Sequence, residues 1–399
     1  MASMPPTSDI PLSVLDLAPA VSGSTAAQAL RNTIDLARKA EQFGYQRYWL
    51  AEHHLTPGYT SSAPAVLIAA VAAATRRIRV GSGAVQSGYT SAVLIAEQFG
   101  TLAQLHPGRV DLGLGRTSAG KLVGGSGPAG PAPAGSGGPS APSLPSLPSL
   151  PAVTGARAAA PNGLLIPAPT KLPIDTERLR LLLDVVGYRS GAADDYEGLV
   201  RDIQAFIAGD YRSADGVGLS APVVEGSDLQ LWIMAATAGG SARTAGELGL
   251  PLAASYHIFP SAVLDTIGSY RAAFRPSAAL PEPRVMVSAD VVVAADDATA
   301  RRLASGYGPW VASIRSGNAR PYPSPDEVAA LDWTDDDRAL VADRVDTQFV
   351  GSPTTVLRGL RTLCEATGAD ELLVTTITHD HADRVRSYQL LAEAWRRFD

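Results

Sequence analysis

GYQRYWLAEHH, from Gly44 to His54, is the stretch on which the reading of the whole chain turns. Gly44 follows the helix-like run 27–43 and stands where a left-handed residue would end a helix. Tyr48-Trp49-Leu50-Ala51 then reads as a short strand, closed by Glu52, His53 and His54 and broken at Pro57-Gly58. A strand with ionisable groups at its carboxyl end is the arrangement found at the active-site rim of parallel α/β folds. Side chains alternate along a strand, so His53 and His54 face opposite ways unless the strand has already ended. Loop or packing histidines would look the same on this stretch alone.

Working outward, the same rhythm repeats. Residues 12–17 alternate around Asp16 as a first strand, and 25–43 carries apolar residues near helical spacing. A short apolar helix over 63–74 follows the second strand, 47–51. Residues 78–85, IRVGSGAV, form a third strand; its Gly81 and Gly83 suggest close approach of a ligand to the backbone. Ala92–Leu105 reads as a helix and 110–114 as a fourth strand, ending in Gly115-Arg116. Strands alternating with helices in this way mean repeated βαβ units and a parallel sheet.

The pattern stops at residue 118. Residues 118–169 are rich in Gly, Pro, Ser and Ala, contain SLPSLPSLP, and carry only Lys121 and Arg157 as charges. That composition cannot pack a core, so the segment reads as a flexible or partly extended insertion. A linker would look similar, but the βα rhythm resumes beyond it, which favours an insertion within a single domain spanning 1–399. Helices are expected at 174–186 and Tyr196–Ala208, strands at 229–234, 251–255 and 284–293, and helices at 241–248, 261–274 and 296–314. A Pro-rich polar stretch (315–335) precedes helices at 337–346 and Pro353–Thr367, a strand at 371–376 and a closing helix at 381–397. Eight strands, each followed by helix, predict an α/β fold of the (β/α)8 TIM-barrel type, with the long insertion after the fourth strand. A doubly wound sheet is the alternative.

The 399 residues are 46% hydrophobic, enough for one large core. A net charge of −6 without a basic cluster argues against nucleic acid, which demands concentrated Lys and Arg. The one cysteine, Cys364, leaves no disulfide framework or cysteine metal cluster and reads as core. No secretory pattern opens the chain, and the longest apolar stretch, 63–74, is too short to span a bilayer. A soluble cytoplasmic protein, meeting neither nucleic acid nor membrane, is expected.

In a barrel, chemistry sits at strand ends. Those ends carry Glu52-His53-His54, Gly83-Ala84, Gly115-Arg116, residues 237–241, Tyr256-His257 and residues 378–381. Two fit a phosphate. Gly239-Gly240-Ser241 enters a helix with bare backbone N–H groups and a hydroxyl, and Arg116 could add a bidentate counter-charge. A tight turn with Ser241 as N-cap, and a surface ion pair at Arg116, explain the same residues structurally. His379-Asp380-His381 has metal-like spacing but lacks a third ligand, and Asp380 suits an N-cap; no metal is expected. No nucleophile elbow, Walker A loop or dinucleotide fingerprint occurs in context.

Together, GYQRYWLAEHH, IRVGSG, AEQFGTLAQLHPGRVDLGLGR and the GGSAR segment before ELGLP resemble the bacterial luciferase-like flavin monooxygenases. The resemblance covers nearly all of 12–116 and runs again from 229 to the C-terminus. It implies a TIM barrel that uses reduced FMN from a separate flavin reductase, with O2 and a small organic substrate, and a homodimer is expected. It also implies phosphate contacts at Arg116 and around Gly239, Gly240 and Ser241, a flavin ring near Gly83 and Ala84, and His53 beside the reacting flavin. His53 is then expected to steer proton transfer or to stabilise the oxygenated flavin, since an imidazole near neutral pKa can do either, with Glu52 as a candidate to orient it. Tyr256 and His257 are candidate substrate contacts. The family often continues past the strand-four Arg with Ala-Pro-Gly and an acid, where this chain has Thr117-Ser118-Ala119-Gly120, and a common Pro is replaced by Ala92. Both departures concern the substrate-side wall. A flavin- or deazaflavin-dependent dehydrogenase, or a barrel that binds flavin without turnover, are the competing functions. The Ala-, Gly- and Pro-rich composition suggests a high-GC bacterium, where enzymes of the family it resembles often tailor secondary metabolites, and by that association a tailoring step is expected.

Overall fold

A computed structural model describes residues 10–116, 158–170, 176–188 and 195–397. The barrel strands are β1 (Leu12–Asp16), β2 (Arg47–Leu50), β3 (Arg79–Ser82), β4 (Val110–Gly115), β5 (Gln230–Ala235), β6 (Leu252–Ser255), β7 (Val285–Val293) and β8 (Glu371–Thr375). Each pairs in parallel with the next, and β8 returns to β1 through Leu12↔Leu372 and Val14↔Val374. The ring is closed, which makes it a (β/α)8 barrel and removes the doubly wound alternative. Helices cover its outer face, so the strands read as continuous buried runs; all of Val285–Val293 is buried. The first helix, Ala26–Phe43, starts where the Thr25 side chain accepts from Gln28 N. It ends at Gly44, whose φ of 84° is the left-handed stop its sequence position implied.

Strand alternation sorts the core into two layers. Val14, Tyr48, Leu50, Val80, Leu112, Ile233 and Val374 pack outward under the helices. Leu15, Trp49, Trp232, Ala253, Met286 and Leu373 fill the barrel. Trp49 and Trp232 meet edge to face, 5.5 Å apart at 74°. Asp111 on β4, with Trp49, explains the glycine in the third strand: a Cβ on Gly81 would lie 2.5 Å from Asp111 O and 2.9 Å from Trp49 Nε1. Gly81 therefore makes room for the core, not for a ligand as its sequence position suggested.

Beneath the tryptophans the barrel floor is ionic. Arg47, 2% exposed, reaches Asp111 at 2.7 Å and Glu371 at 2.9 Å, and its guanidinium lies 5.0 Å from the Trp232 ring. Arg79 pairs with Asp111 from the other side at 2.6 Å. Buried charge is tolerated here because every member is paired. The opposite, C-terminal end of the strands is where a site can form.

Several segments differ from the sequence expectation. The helix expected at 296–314 is two, Asp297–Ala304 and Tyr307–Arg315. At the break, a Cβ on Gly306 would come within 2.6 Å of the Tyr322 ring. The polar stretch 315–335 hides a fully buried Tyr322 and a short helix, Pro325–Ala329, opened by a Ser324–Glu327 capping box. The third strand stops at Ser82, and Val85–Gln86 pairs separately with β4 after a cis Gly83–Ala84 peptide. Of the expected insertion, residues 118–157 lie outside the described residues. Residues 158–169, grouped with it by composition, behave otherwise: Ala158–Ala159 pairs antiparallel with Leu165–Ile166, and Leu164 is buried. Among the described residues no helix is long and apolar enough to cross a membrane.

Candidate active site

β2 ends at Leu50, and the chain passes through Ala51 and Glu52 to His53 at the barrel mouth. His53 stacks on Tyr59, with ring centroids 4.0 Å apart and planes 19° apart. Its backbone N–H donates to Ser61 O at 2.9 Å, pinning the loop. Burial, with His54 adding to it, brings the His53 pKa down to about 4. The ring is thus neutral throughout the physiological range, which corrects the expectation of a near-neutral pKa.

Glu52 does not orient His53. Its Oε1 lies 2.9 Å from His54 Nε2, and its Oε2 accepts from Gln86 N at 2.6 Å. Geometry explains the miss: the two residues have left the regular strand, so the carboxylate turns toward Gln86 and takes His54 with it. Burial raises the Glu52 pKa, partly offset by those two bonds.

The opposite wall is also polar. β2 and β6 stand four places apart around the ring of eight. β6 alternation sends Ala253 inward, and the next residues on that face are Ser255 and His257. His257 is 5% exposed, and its Nδ1 bonds Ser288 Oγ on β7. Burial, then Arg344 and His53, push its pKa down. Tyr256 faces away: it packs among the outer core, lies against Phe349, and donates to Leu165 O at 2.8 Å. As a substrate contact Tyr256 is therefore corrected, while His257 keeps its place at the mouth.

Sequence reasoning missed the groups around them. Asp290, two residues beyond Ser288 on the same face of β7, accepts from the Tyr307 hydroxyl, and Arg344 donates to that hydroxyl at 2.7 Å. Burial pushes the Asp290 pKa up to about 6 against the pull of Arg344. Alternation from Met286 could have found Asp290. Tyr59, Tyr307 and Arg344 belong to a loop and two helices that strand periodicity cannot place.

A second corner of the rim collects the phosphate candidates. Arg116 follows β4, whose end is held by the Tyr196 hydroxyl donating to Leu114 O at 2.9 Å. Helix Gly240–Glu247 follows β5, and its N-cap, Gly239, makes no side-chain cap bond. A Cβ on Gly240 would lie 3.0 Å from Arg116 Nη1, so the missing side chain leaves room for the guanidinium at the helix start. Ser241 sits in the first turn rather than at the N-cap. Unsatisfied first-turn N–H groups, the positive helix end and an arginine are what a phosphate monoester needs. The residues present therefore fit the phosphate of a flavin mononucleotide.

Gly83 and Ala84 lie between β3 and Val85–Gln86 at the same end of the barrel. The space of the missing Gly83 side chain is taken by Leu15 and Trp49, 2.7 Å and 3.3 Å from a notional Cβ. Toward the mouth this segment can offer backbone. His379 bonds Ser22 O, His381 pairs with Asp35 at 2.9 Å, and Asp380 caps helix His381–Trp395. Among the described residues no cluster could hold a metal. Cys364 is fully buried, as its sequence context implied.

The model of a family described as luciferase-like monooxygenase matches residues 11–127 and 198–371. The Bacillus subtilis (strain 168) protein YvbT, itself uncharacterized, is 36% identical over 388 residues, 97% of each chain. Among solved structures, apo-MsnO8 is 30% identical with a TM-score of 0.72, covering 98% of this chain and 99% of its own. The oxygenating constituent of 3,6-diketocamphane monooxygenase from Pseudomonas putida, a type II Baeyer-Villiger enzyme solved in complex with FMN, reaches a TM-score of 0.61. It covers 96% of this chain and 97% of its own, but at 19% identity it speaks for the fold alone. With a family model spanning most of its length, this chain belongs to the luciferase-like monooxygenases and is a flavin-dependent enzyme of that family.

Proposed function

We propose that the protein is a two-component monooxygenase that takes reduced FMN from a separate flavin reductase. The observation that carries the reading is the meeting of Arg116 with the uncapped start of helix Gly240–Glu247, on the rim that also bears His53. Reduced FMN would supply the chemistry that activates O2 and delivers one oxygen atom to a small organic substrate. The chain's part is to hold, orient and enclose. Arg116 and the first-turn N–H groups of Gly240 and Ser241 would hold the phosphate, and the 83–84 backbone would flank the ring. The aromatic lining around Tyr59, Trp310 and Tyr322 would keep water out. His53, uncharged, would donate or accept a hydrogen bond at a ring nitrogen without adding positive charge beside the flavin.

A tailoring step on a secondary metabolite, in the cytoplasm where a reductase can deliver FMN, completes the proposal. Oxygen uptake tests it. The purified protein with FMN and NADH should consume no oxygen above background until an unrelated flavin reductase is added. With reduced FMN bound, it should react with oxygen at a rate different from that of free reduced FMN. Identical rates would mean a flavin carrier, and anaerobic hydride transfer to a deazaflavin would mean a dehydrogenase.

The homodimer has its own support. Helix Pro64–Ala74, PAVLIAAVAAA, has no polar residue, and such a helix belongs inside. Leu67, Ile68 and Val71 are buried, yet Val66 is 73% exposed, and Leu94 on the neighbouring helix Ala92–Leu105 is 49% exposed. This uncovered face is where a second copy would pack. Val66→Lys should convert a dimer to a monomer in size-exclusion chromatography with light scattering. A wild-type protein that runs as a monomer at micromolar concentration sinks the proposal.

A further inference from the structure

An active-site histidine needs something to fix its ring, and a carboxylate usually does so. Here the neighbouring acid is spent: Glu52 holds His54 and Gln86 N. Among the described residues neither ring nitrogen of His53 has a side-chain partner. β2 ends at Leu50, so strand alternation does not fix the ring either. What remains is the face of Tyr59, 4.0 Å away and 19° from parallel.

Tyr59 is itself tightly held for a loop residue. Gly58 has φ 103°, and a Cβ there would meet Arg320 O at 2.5 Å, so the approach to Tyr59 requires glycine. Ala20 N donates to Gly58 O at 3.0 Å, and Tyr59 N to Thr56 O at 3.2 Å. Thr60 bonds Ala18 O twice, through its N–H and its hydroxyl. Behind the tyrosine stands Trp310, 5.2 Å away at 63°, which packs in turn on Tyr307 and Tyr322. A residue that only filled space would need bulk, not a near-parallel face in register with an imidazole.

We propose that Tyr59 is the positioning residue of His53: its ring face, backed by Trp310, sets the plane in which the imidazole presents its nitrogens to the barrel mouth. The charged and titratable groups around the pair are His54 on the same loop, His257 on the opposite wall, and Asp290 and Arg344 beyond Tyr59. Tyr59 also shields the ring from water, consistent with the low pKa of His53.

The significance for catalysis rests on the proposed role of His53, so the test separates the two. In the apo protein labelled with 15N-histidine, His53→Gln assigns the His53 ring signals. Wild type should show cross-relaxation between the His53 and Tyr59 ring protons and a His53 titration near pH 4. Tyr59→Phe, which keeps the face, should reproduce both the titration and the ring shifts. Tyr59→Leu should lose the ring-current shift and titrate within about one unit of 6.5, the ordinary histidine value. The proposal is overturned if wild type lacks the Tyr59–His53 cross-relaxation, a measurement made on the wild-type protein that does not depend on a Tyr59 variant folding. It is also overturned if Tyr59→Leu leaves the His53 signals and titration unchanged. Peroxide release from the reduced-FMN protein in oxygen then reads the consequence: Tyr59→Phe should match wild type, and Tyr59→Leu should shift toward His53→Ala. If the ring signals move as expected but His53→Ala leaves peroxide release unchanged, positioning stands and the reading of His53 falls.

Discussion

Arg116→Ala should weaken FMN binding by about 1.5–3 kcal/mol, on the order of 10- to 150-fold, the range for a charge-assisted bond to a phosphate. Riboflavin is the control, because it offers the same ring without the anion. Its affinity should change by less than about twofold if Arg116 acts on the phosphate alone, since one tenfold step is about 1.4 kcal/mol. Gly240→Ala probes the same corner from the other side. Its new methyl would press on Arg116 Nη1 at 3.0 Å, and it too should penalise FMN more than riboflavin. Fluorescence titration of both ligands, with thermal melts to confirm folding, reads the result. Equal losses for FMN and riboflavin would make Arg116 a structural residue and dissolve the phosphate assignment.

That corner was legible in the sequence because a glycine turn entering a helix has one geometry. Once β4 and β5 are neighbours in a barrel, the residues after them must meet. The barrel was legible for a similar reason: parallel strands buried on both faces leave unbroken apolar runs, and turn residues punctuate them. Partners that depend on which way a loop turns were not legible. Glu52 looked like the orienter of His53 by adjacency, yet Gln86 N, from a strand break the sequence did not show, draws it to His54. Tyr256 and His257 looked equivalent until β6 alternation separated them, one to the helix layer and one to the mouth. Gly81 carried a packing message that resembled a ligand message, because a strand glycine vacates the same space for an indole as for a cofactor. Arg344 and Tyr307 were beyond reach, since they arrive from helices whose placement only the closed fold determines.

His53→Ala should leave folding and reduced-FMN affinity nearly intact. Peroxide release after mixing with oxygen should accelerate by about 10²- to 10⁴-fold, the usual scale for one positioned proton-handling group. The motive is geometry: an uncharged imidazole stacked on Tyr59 at the mouth, with ring nitrogens unclaimed by any described side chain. A neutral ring can hold a hydrogen bond to the reacting centre without supplying a ready proton, and its loss would let protons in through water. A low pKa also sets the pH behaviour. With the folded value near 4, depressed from 6.5, protonating His53 should begin to mimic the alanine variant only as the pH falls toward 4. His54→Ala is the matched comparison. His54 is tied to Glu52 and lies edge-on to Tyr89 at 5.2 Å, so its loss should loosen the loop without reproducing the acceleration. Stopped-flow absorbance of flavin reoxidation, with peroxide measured in parallel, distinguishes the pair. Acceleration in His54→Ala but not in His53→Ala would mean that the working imidazole is the one paired with Glu52. No acceleration in either would make the two histidines packing and place the oxygen chemistry elsewhere in the barrel mouth.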